Sequence, residues 1–200
     1  MGRPLRTIAV VLFAALLGVG EAQAQSDNPP AAASAAKAAK VRFGESAAIP
    51  SGYYALCVAH PEFCRVQAGR LASRRDGSVI LTAMALDRLN AVNESVNAAI
   101  RPAYGESWLP DQAAGDCKDY AMTKRQRLIE AGWPTSAVPV AIVRTPSDEK
   151  HLVLVARTDQ GDFVLDNLAR SIVPLGSAAY VWEKILSPTD GLSWVGASKL

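Results

Sequence analysis

The longest amphipathic pattern in the chain lies between Ser78 and Ile100. Its apolar residues recur at the three- and four-residue spacing that places side chains on one face of a helix. Asp76 precedes the pattern as a plausible cap, and Pro102 ends it. The sequence therefore predicts a long packing helix, with an apolar face made of Val79, Leu81, Ala83, Leu86, Leu89, Val92, Val96 and Ile100.

A second helical pattern runs from Asp116 to Ala131, after a loop over 101–115. Gly132 is a suitable C-terminal stop, and Pro134 prevents continuation. The apolar side of this predicted helix consists of Cys117, Tyr120, Ala121, Leu128 and Ile129.

Strand patterns occupy the part of the chain that follows, at 138–143, 152–156 and 163–165. Pro139 places the start of the first strand at a sheet edge, and polar turn residues at 158–161 separate the second from the third. Residues 41–75 carry aromatic residues among glycine and proline and predict irregular structure with short strands or turns. Helices followed by antiparallel strands predict an α+β domain with the N-terminal helices packed on the sheet.

The N-terminus has the layout of a secretory signal peptide. Arg3 and Arg6 precede an uncharged run over 8–20, and a small-x-small cleavage pattern ends at Ala24. The alternative is an uncleaved membrane anchor, but the run is shorter than the roughly 20 residues that a bilayer span needs. We therefore predict a signal peptide over 1–24, a disordered linker over 25–40 and a folded domain over 41–200, periplasmic or secreted, with no stable membrane span.

Charge indicates no specific partner. The chain has 21 Lys and Arg against 19 Asp and Glu, a formal net charge of +2. This near balance provides no basic field for nucleic acid, so we expect no nucleic-acid partner.

The three cysteines are expected to differ in role. Cys57 and Cys64 are close in sequence with Pro61 between them, which favours a disulfide in an oxidising compartment. The alternative is two free buried cysteines. In either case Cys117 is left over, and an odd cysteine in an exported protein is a candidate reactive thiol.

Cys117 is predicted to open the second helix. With Asp116 as the N-cap, its sulfur would lie near unpaired backbone N–H groups and the positive end of the helix dipole, and both favour a thiolate. Gly115 would allow a tight turn before the helix. The alternative interpretation is structural: Asp116 and Asp119 resemble a capping box, with Cys117 as a small buried residue.

His151 and Asp166 are the candidate partners of this thiol. His151 opens the second predicted strand and Asp166 ends the third. One antiparallel register places them directly opposite each other and pairs Val153 with Val164, whereas a tighter turn would offset them by about four residues. Cys117 would then be the nucleophile, His151 the base that takes and returns the proton, and Asp166 the group that orients the imidazole. The second histidine, His60, lies between the two disulfide candidates and is expected to be structural.

These motifs resemble the bacterial transglutaminase-like cysteine proteinases. The resemblance covers roughly residues 43–195 and is carried by GDCKDYA at 115–121, AGWP at 131–134, HLVL at 151–154 and DN at 166–167. It implies a papain-like or transglutaminase-like fold, a periplasmic cysteine peptidase and the same three catalytic roles. Some family members cut a large surface adhesin near its N-terminus and so govern biofilm release, but the resemblance implies no substrate for this chain.

One position departs from the calcium-dependent members of this family, which carry acidic residues on both sides of the cysteine. Here Asp116 and Asp119 are kept, but Lys118 lies between them. An ammonium has no lone pair and adds positive charge where Ca²⁺ requires oxygen ligands. We therefore expect that no cofactor is required and that calcium, if it binds at Asp116 and Asp119, is disfavoured by Lys118. The alternative is that Lys118 merely faces solvent.

The oxyanion hole is less defined by the sequence. The backbone N–H of Cys117 is one natural donor. Gln112 is where a papain-like enzyme places a side-chain amide, and Trp108 is a candidate for the wall of the cleft. The alternative for both is a structural role.

The leading functional hypothesis is hydrolysis of a peptide bond in another cell-envelope or surface protein by a Cys-His-Asp triad. The alternatives are a transglutaminase-type acyl transferase, in which an amine replaces water, and a non-catalytic periplasmic binding module on the same fold. A redox role is disfavoured because no C-x-x-C pair is present. The sequence does not identify a regulatory membrane protein.

Overall fold

The computed structural model describes Gly2 and residues 39–200. Apart from Gly2, Ala39 and Lys40, the predicted signal peptide and linker lie outside the described residues. Among the described residues, no helix combines the length and the apolar character needed to cross a membrane.

Three α-helices and three short 3-10 segments lie in residues 39–200. The helices are α1 (Ser51–Ala59), α2 (Ala83–Ala99) and α3 (Cys117–Glu130). The 3-10 segments span Pro61–Cys64, Thr135–Ala137 and Leu175–Ser177. Helix α1 was not predicted, because only Tyr53 and Leu56 of its nine residues are buried and it has no clear apolar face.

Seven strands form one antiparallel sheet. They are β1 (Val41–Ala47), β4 (Val140–Arg144), β5 (Lys150–Ala156), β6 (Phe163–Leu165), β7 (Val173–Pro174), β8 (Val181–Leu186) and β9 (Trp194–Lys199), in the order β1-β9-β8-β4-β5-β6-β7. Two short strands, β2 (Arg101–Pro102) and β3 (Ala114–Gly115), pair in parallel just before α3. The predicted α+β class, with helices packed on an antiparallel sheet, is confirmed.

The start of the long helix was predicted too early. Helix α2 begins at Ala83, and the side chain of Thr82 caps it by accepting the Ala85 N–H at 3.1 Å. Val79 instead forms isolated β-bridges, since its N–H donates to the carbonyl of Arg157 at 3.0 Å. Asp76 closes a local turn by accepting the N–H of Ser78.

The register between β5 and β6 also differs from the prediction. Leu154 pairs with Leu165 and Val155 with Val164, a shift of two residues from the expected pairing. Continuing this register by one residue places Asp166 opposite Val153 rather than opposite His151. Because side chains alternate with a period of two, a shift of two keeps every side chain on its expected face.

Each sheet face has its own apolar core. Leu152, Leu154 and Leu165 pack with helix residues on one face, whereas Val153 and Val164 pack on the other. The helix-side core anchors α3 through Tyr120, Ala121, Met122, Leu128 and Ile129. This packing fixes the start of α3 close to the start of β5.

The predicted disulfide is confirmed. Cys57 in α1 is bonded to Cys64 in the following 3-10 segment, with Cα atoms 5.6 Å apart. Cys117 is the free cysteine of the described chain.

Candidate active site

Cys117 is the first residue of α3, as the capping pattern predicts. Oδ1 of Asp116 accepts the N–H of Lys118 at 3.0 Å, and Oδ2 of Asp119 accepts the N–H of Asp116 at 2.9 Å. These reciprocal bonds form the capping box. The box accounts for the two aspartates, but it leaves the half-buried Cys117 side chain at the cleft.

Gly115 is needed for close packing rather than for an unusual backbone angle. A Cβ at this position would lie 2.3 Å from Oδ2 of Asp119, the oxygen that caps the Asp116 N–H. The missing side chain of Gly115 therefore leaves the space in which the capping carboxylate sits.

His151 and Asp166 form a buried hydrogen bond. Nε2 of His151 lies 2.7 Å from Oδ1 of Asp166, and the two side chains are 7% and 1% exposed. Because an ionised carboxylate only accepts, the Nε2–H donates. The second residue of β5 and the residue just after β6 lie diagonally across the strand pair, within reach of a histidine ring.

The environment of His151 favours its protonated form. Burial on its own would lower the pKa of His151, but the hydrogen bond with Asp166 and the interaction with the Cys117 side chain outweigh burial and raise the pKa to about 9. Burial would raise the pKa of Asp166, but hydrogen bonds from His151, the Leu168 N–H and Tyr180 lower it. The histidine is thus held as an imidazolium beside a carboxylate.

Cys117 and His151 line two adjoining cavities. The first cavity, about 400 Å³, is also walled by Tyr104 and Leu168. The second cavity, about 250 Å³, is also walled by Trp108, Lys118 and Ile142. Cys117 and His151 therefore lie where the two cavities adjoin.

A sequence profile of the bacterial transglutaminase-like cysteine proteinases (BTLCP) matches residues 43–199. The chain belongs to this family. The predicted transglutaminase-like fold is therefore confirmed, and the family is one of cysteine proteinases. A search of curated proteins gives no match.

Solved structures of another bacterial protein resemble this chain. Legionella pneumophila LapG in its calcium-bound form is 19% identical, with a TM-score of 0.45 over 50% of this chain and 63% of that chain. A second LapG structure is 18% identical, with a TM-score of 0.45 over 55% of this chain and 67% of that chain. The matched part thus spans less than two thirds of the calcium-bound LapG chain.

Tyr180 is a residue of the candidate site that the sequence did not indicate. Its hydroxyl donates to Oδ2 of Asp166, and its ring centroid lies 6.0 Å from that of His151. Asp166 thus accepts from His151 and Leu168 on one oxygen and from Tyr180 on the other. Tyr180 lies before β8 in a segment with no periodic pattern, so no local signal could have linked it to Asp166.

Of the two further cleft candidates, the structure brings only Trp108 to Cys117. Trp108 lines the second cavity and packs edge-on against Tyr53 and Trp194, so it also belongs to the core. Gln112 lines neither cavity that contains Cys117, and its amide donates to the carbonyl of Pro110 at 3.2 Å.

Asp116 and Asp119 do not fit a calcium site. Lys118 occupies both oxygens of Asp116, one through its backbone N–H and the other through its ammonium. One oxygen of Asp119 caps the Asp116 N–H, so of the four carboxylate oxygens of these two residues only Oδ1 of Asp119 has no hydrogen-bond partner among the described residues. Ca²⁺ takes about six to eight oxygen ligands, and residues 39–200 hold no cluster of three or more His, Cys, Asp or Glu side chains suited to a metal.

Lys124 is a buried charge two helical turns after Cys117. Its Nζ has no hydrogen-bond partner among the described residues. Burial lowers the pKa of Lys124 to about 7, although the nearby Asp166 acts to raise it.

Proposed function

We propose that this chain is a cysteine peptidase in which Cys117, His151 and Asp166 form the catalytic triad. The observation that carries the proposal is the His151–Asp166 hydrogen bond of 2.7 Å, made in the wall of a cleft that Cys117 also lines. Membership of a cysteine proteinase family supports the same activity.

In this proposal each residue has one role. Asp166 uses Nε2 of His151, so Nδ1 is the ring nitrogen that holds the proton given up by the Cys117 thiol. The Cys117 thiolate attacks the peptide carbonyl, and the imidazolium returns the proton to the leaving amine, after which water hydrolyses the acyl-enzyme. The backbone N–H of Cys117, in the first turn of α3, is the proposed oxyanion donor.

The proposed substrate is a peptide segment of another cell-envelope or surface protein, cut after export of this chain to the periplasm or beyond. Two adjoining cavities share Cys117 and His151, and we expect them to hold the chain on either side of the scissile bond, as an endopeptidase requires. The substrate is expected to lie extended across the cleft with no cofactor in the reaction.

The test combines labelling and proteolysis. Iodoacetamide should label Cys117 rapidly at neutral pH, and Cys117→Ala should abolish both labelling and cleavage of envelope proteins detected by mass spectrometry of new termini. Slow labelling at the rate of a free thiol would contradict an activated nucleophile. Incorporation of a fluorescent amine into a glutamine-rich substrate without cleavage would favour acyl transfer instead.

A further inference from the structure

Lys118 forms a bridge at the entrance to the cleft. Its Nζ donates to the carbonyl oxygen of Gly105 at 3.1 Å and also pairs with Oδ2 of Asp116. The Lys118 and Asp116 side chains are only 20% and 23% exposed. This lysine is therefore a fixed contact rather than a solvent-facing residue of the first helical turn.

The two oxygens bound by the ammonium are of the kind that a hard cation binds. A carboxylate oxygen and a backbone carbonyl oxygen are ordinary ligands of Ca²⁺. An ammonium presents three donors and one positive charge to them from within the chain. A divalent cation entering here would have to displace a tethered cation and would be repelled by it.

The bridge connects two walls of the cleft. Gly105 follows Tyr104, which lines the first cavity, whereas Lys118 lines the second. The bridge also pairs a positive charge with the carboxylate of Asp116, the residue just before Cys117.

We propose that the Lys118 ammonium does the work of a bound divalent cation at the start of α3, so that the cleft of this chain is assembled without calcium. The inference rests on the proposed peptidase function, because peptidase activity is the measurement that shows whether the cleft is assembled. Lys118 acts as a positioning residue: it holds the 103–107 loop against the helix that carries Cys117 and takes no part in bond cleavage.

The first experiment compares the purified protein in EGTA with the protein in millimolar CaCl₂. We expect kcat/KM to change by less than about twofold, and calcium alone to leave the thermal midpoint unchanged and give no heat of binding in calorimetry. Loss of activity in EGTA that CaCl₂ restores, or a rise of several degrees in the midpoint with CaCl₂, would overturn the proposal.

The second experiment removes the positive charge. Lys118→Met should lower kcat/KM by at least about tenfold, whereas Lys118→Arg, which keeps a cation in place, should stay within about threefold of the wild type. Lys40→Met, distant from the cleft, is the matched control for loss of a lysine. Full activity of Lys118→Met would overturn the bridge.

The two proposals fail in different ways. If the wild type cleaves no protein, the peptidase function fails, but the calorimetric and thermal responses to CaCl₂ still decide whether Lys118 excludes a cation. If the wild type cleaves only with calcium, the peptidase function stands and the role given to Lys118 is wrong. A Lys118→Met chain that does not fold leaves Lys118→Arg and the wild-type calcium titration to decide.

Discussion

Asp166 makes more side-chain hydrogen bonds than the other two residues of the proposed triad. Each of its oxygens accepts a side-chain donor, and its own carbonyl accepts the Asn97 amide at 3.0 Å. These contacts fix the carboxylate in one orientation, and through it the imidazole of His151. In the proposed triad, the acid is expected to act by holding the direction of the ring rather than by moving a proton.

Two substitutions should show how much activity depends on the Asp166 carboxylate itself and how much on its hydrogen bond from Tyr180. Asp166→Asn is expected to lower kcat/KM by about 10²–10⁴-fold, because an amide no longer favours the protonated ring. Tyr180→Phe removes one donor and keeps the carboxylate, so a loss of about tenfold is expected, equal to about 1.4 kcal/mol. Steady-state kinetics on one peptide substrate measures both, and equal losses would contradict a supporting role for Tyr180.

The raised pKa of His151 makes its contribution to stability dependent on pH. A group whose pKa is higher in the folded chain stabilises it fully below the unfolded pKa of 6.5, and this stability is lost as pH rises through about 9. The free-energy advantage of the wild type over His151→Gln should therefore shrink between pH 6.5 and 9, by on the order of 3 kcal/mol. Urea titrations of both proteins across this range measure it.

The comparison with His151→Gln also controls for Lys124. The lowered pKa of Lys124 destabilises the folded chain fully below about pH 7, and that penalty is relieved as pH rises from about 7 to 10.5, which is opposite to the trend of His151. Because both proteins contain Lys124, its contribution cancels in the difference. A pH-independent difference would show that His151 is not charged in the folded protein.

The sequence alone predicted these site residues because each one lies in a recognisable local pattern. Gly115, Asp116 and Cys117 lie at a predicted helix start. His151 and Asp166 are polar residues at the ends of predicted strands. The hydrogen bond between His151 and Asp166 forms although the predicted register was wrong by two residues, since an even shift preserves the face. Tyr180 was missed because its partner is 14 residues away with no pattern between them.

At the scale of elements, a helix start was predicted well where no distant contact competes with the local cap. Asp116 caps α3 through bonds within four residues of sequence. The start of α2 also has a local cap, Thr82, but distant backbone decides where the chain before it goes. Val79 donates to Arg157 and accepts from Asp159, each at 3.0 Å, which holds it outside the helix. Apolar spacing cannot detect such partners.

The start of α3 can be tested through Gly115. Gly115→Ala would force the Asp119 carboxylate away from the Asp116 N–H, because the new methyl group would overlap Oδ2. We expect a loss of about 1 kcal/mol in the free energy of unfolding, the usual cost of a lost cap, and slower labelling of Cys117 by iodoacetamide. Urea denaturation and labelling kinetics provide the two measurements.

Gly196→Ala is the matched control for this substitution. An added Cβ there would have its nearest neighbour, the carbonyl of Glu45, at 3.9 Å, which is ordinary contact. If Gly115→Ala and Gly196→Ala behave alike, the close approach of Asp119 does not position the start of α3.

At the scale of the molecule, two apolar cores enclose the sheet, and the cleft lies where the start of α3 meets the start of β5, an internal strand. The disulfide lies at the border of the helix-side core rather than at the cleft. It holds the 3-10 segment whose Phe63 carbonyl accepts Nη1 of the fully buried Arg125 at 3.0 Å. The Cys57–Cys64 bond thus helps to keep the Phe63 carbonyl in place as the hydrogen-bond acceptor of the buried Arg125 guanidinium.

Removing this disulfide should lower stability and spare the reaction. The double variant Cys57→Ala and Cys64→Ala is expected to lose about 2–3 kcal/mol in the free energy of unfolding, since a short closed loop restricts the unfolded chain by about that amount. Labelling of Cys117 should change by less than about twofold, because neither cysteine lines the cavities that contain it. Urea denaturation and iodoacetamide kinetics measure the two effects.

Dithiothreitol supplies the control within the wild-type chain. Reduction should bring the wild type to the stability of the double variant, while the double variant itself should not respond. If reduction leaves the stability unchanged, packing around Phe63 and Arg125 already holds the segment. The disulfide then adds no constraint beyond that of the core. A parallel loss of Cys117 labelling would instead mean that the helix-side core transmits the change to the start of α3, and that α1 and the cleft form one cooperative unit.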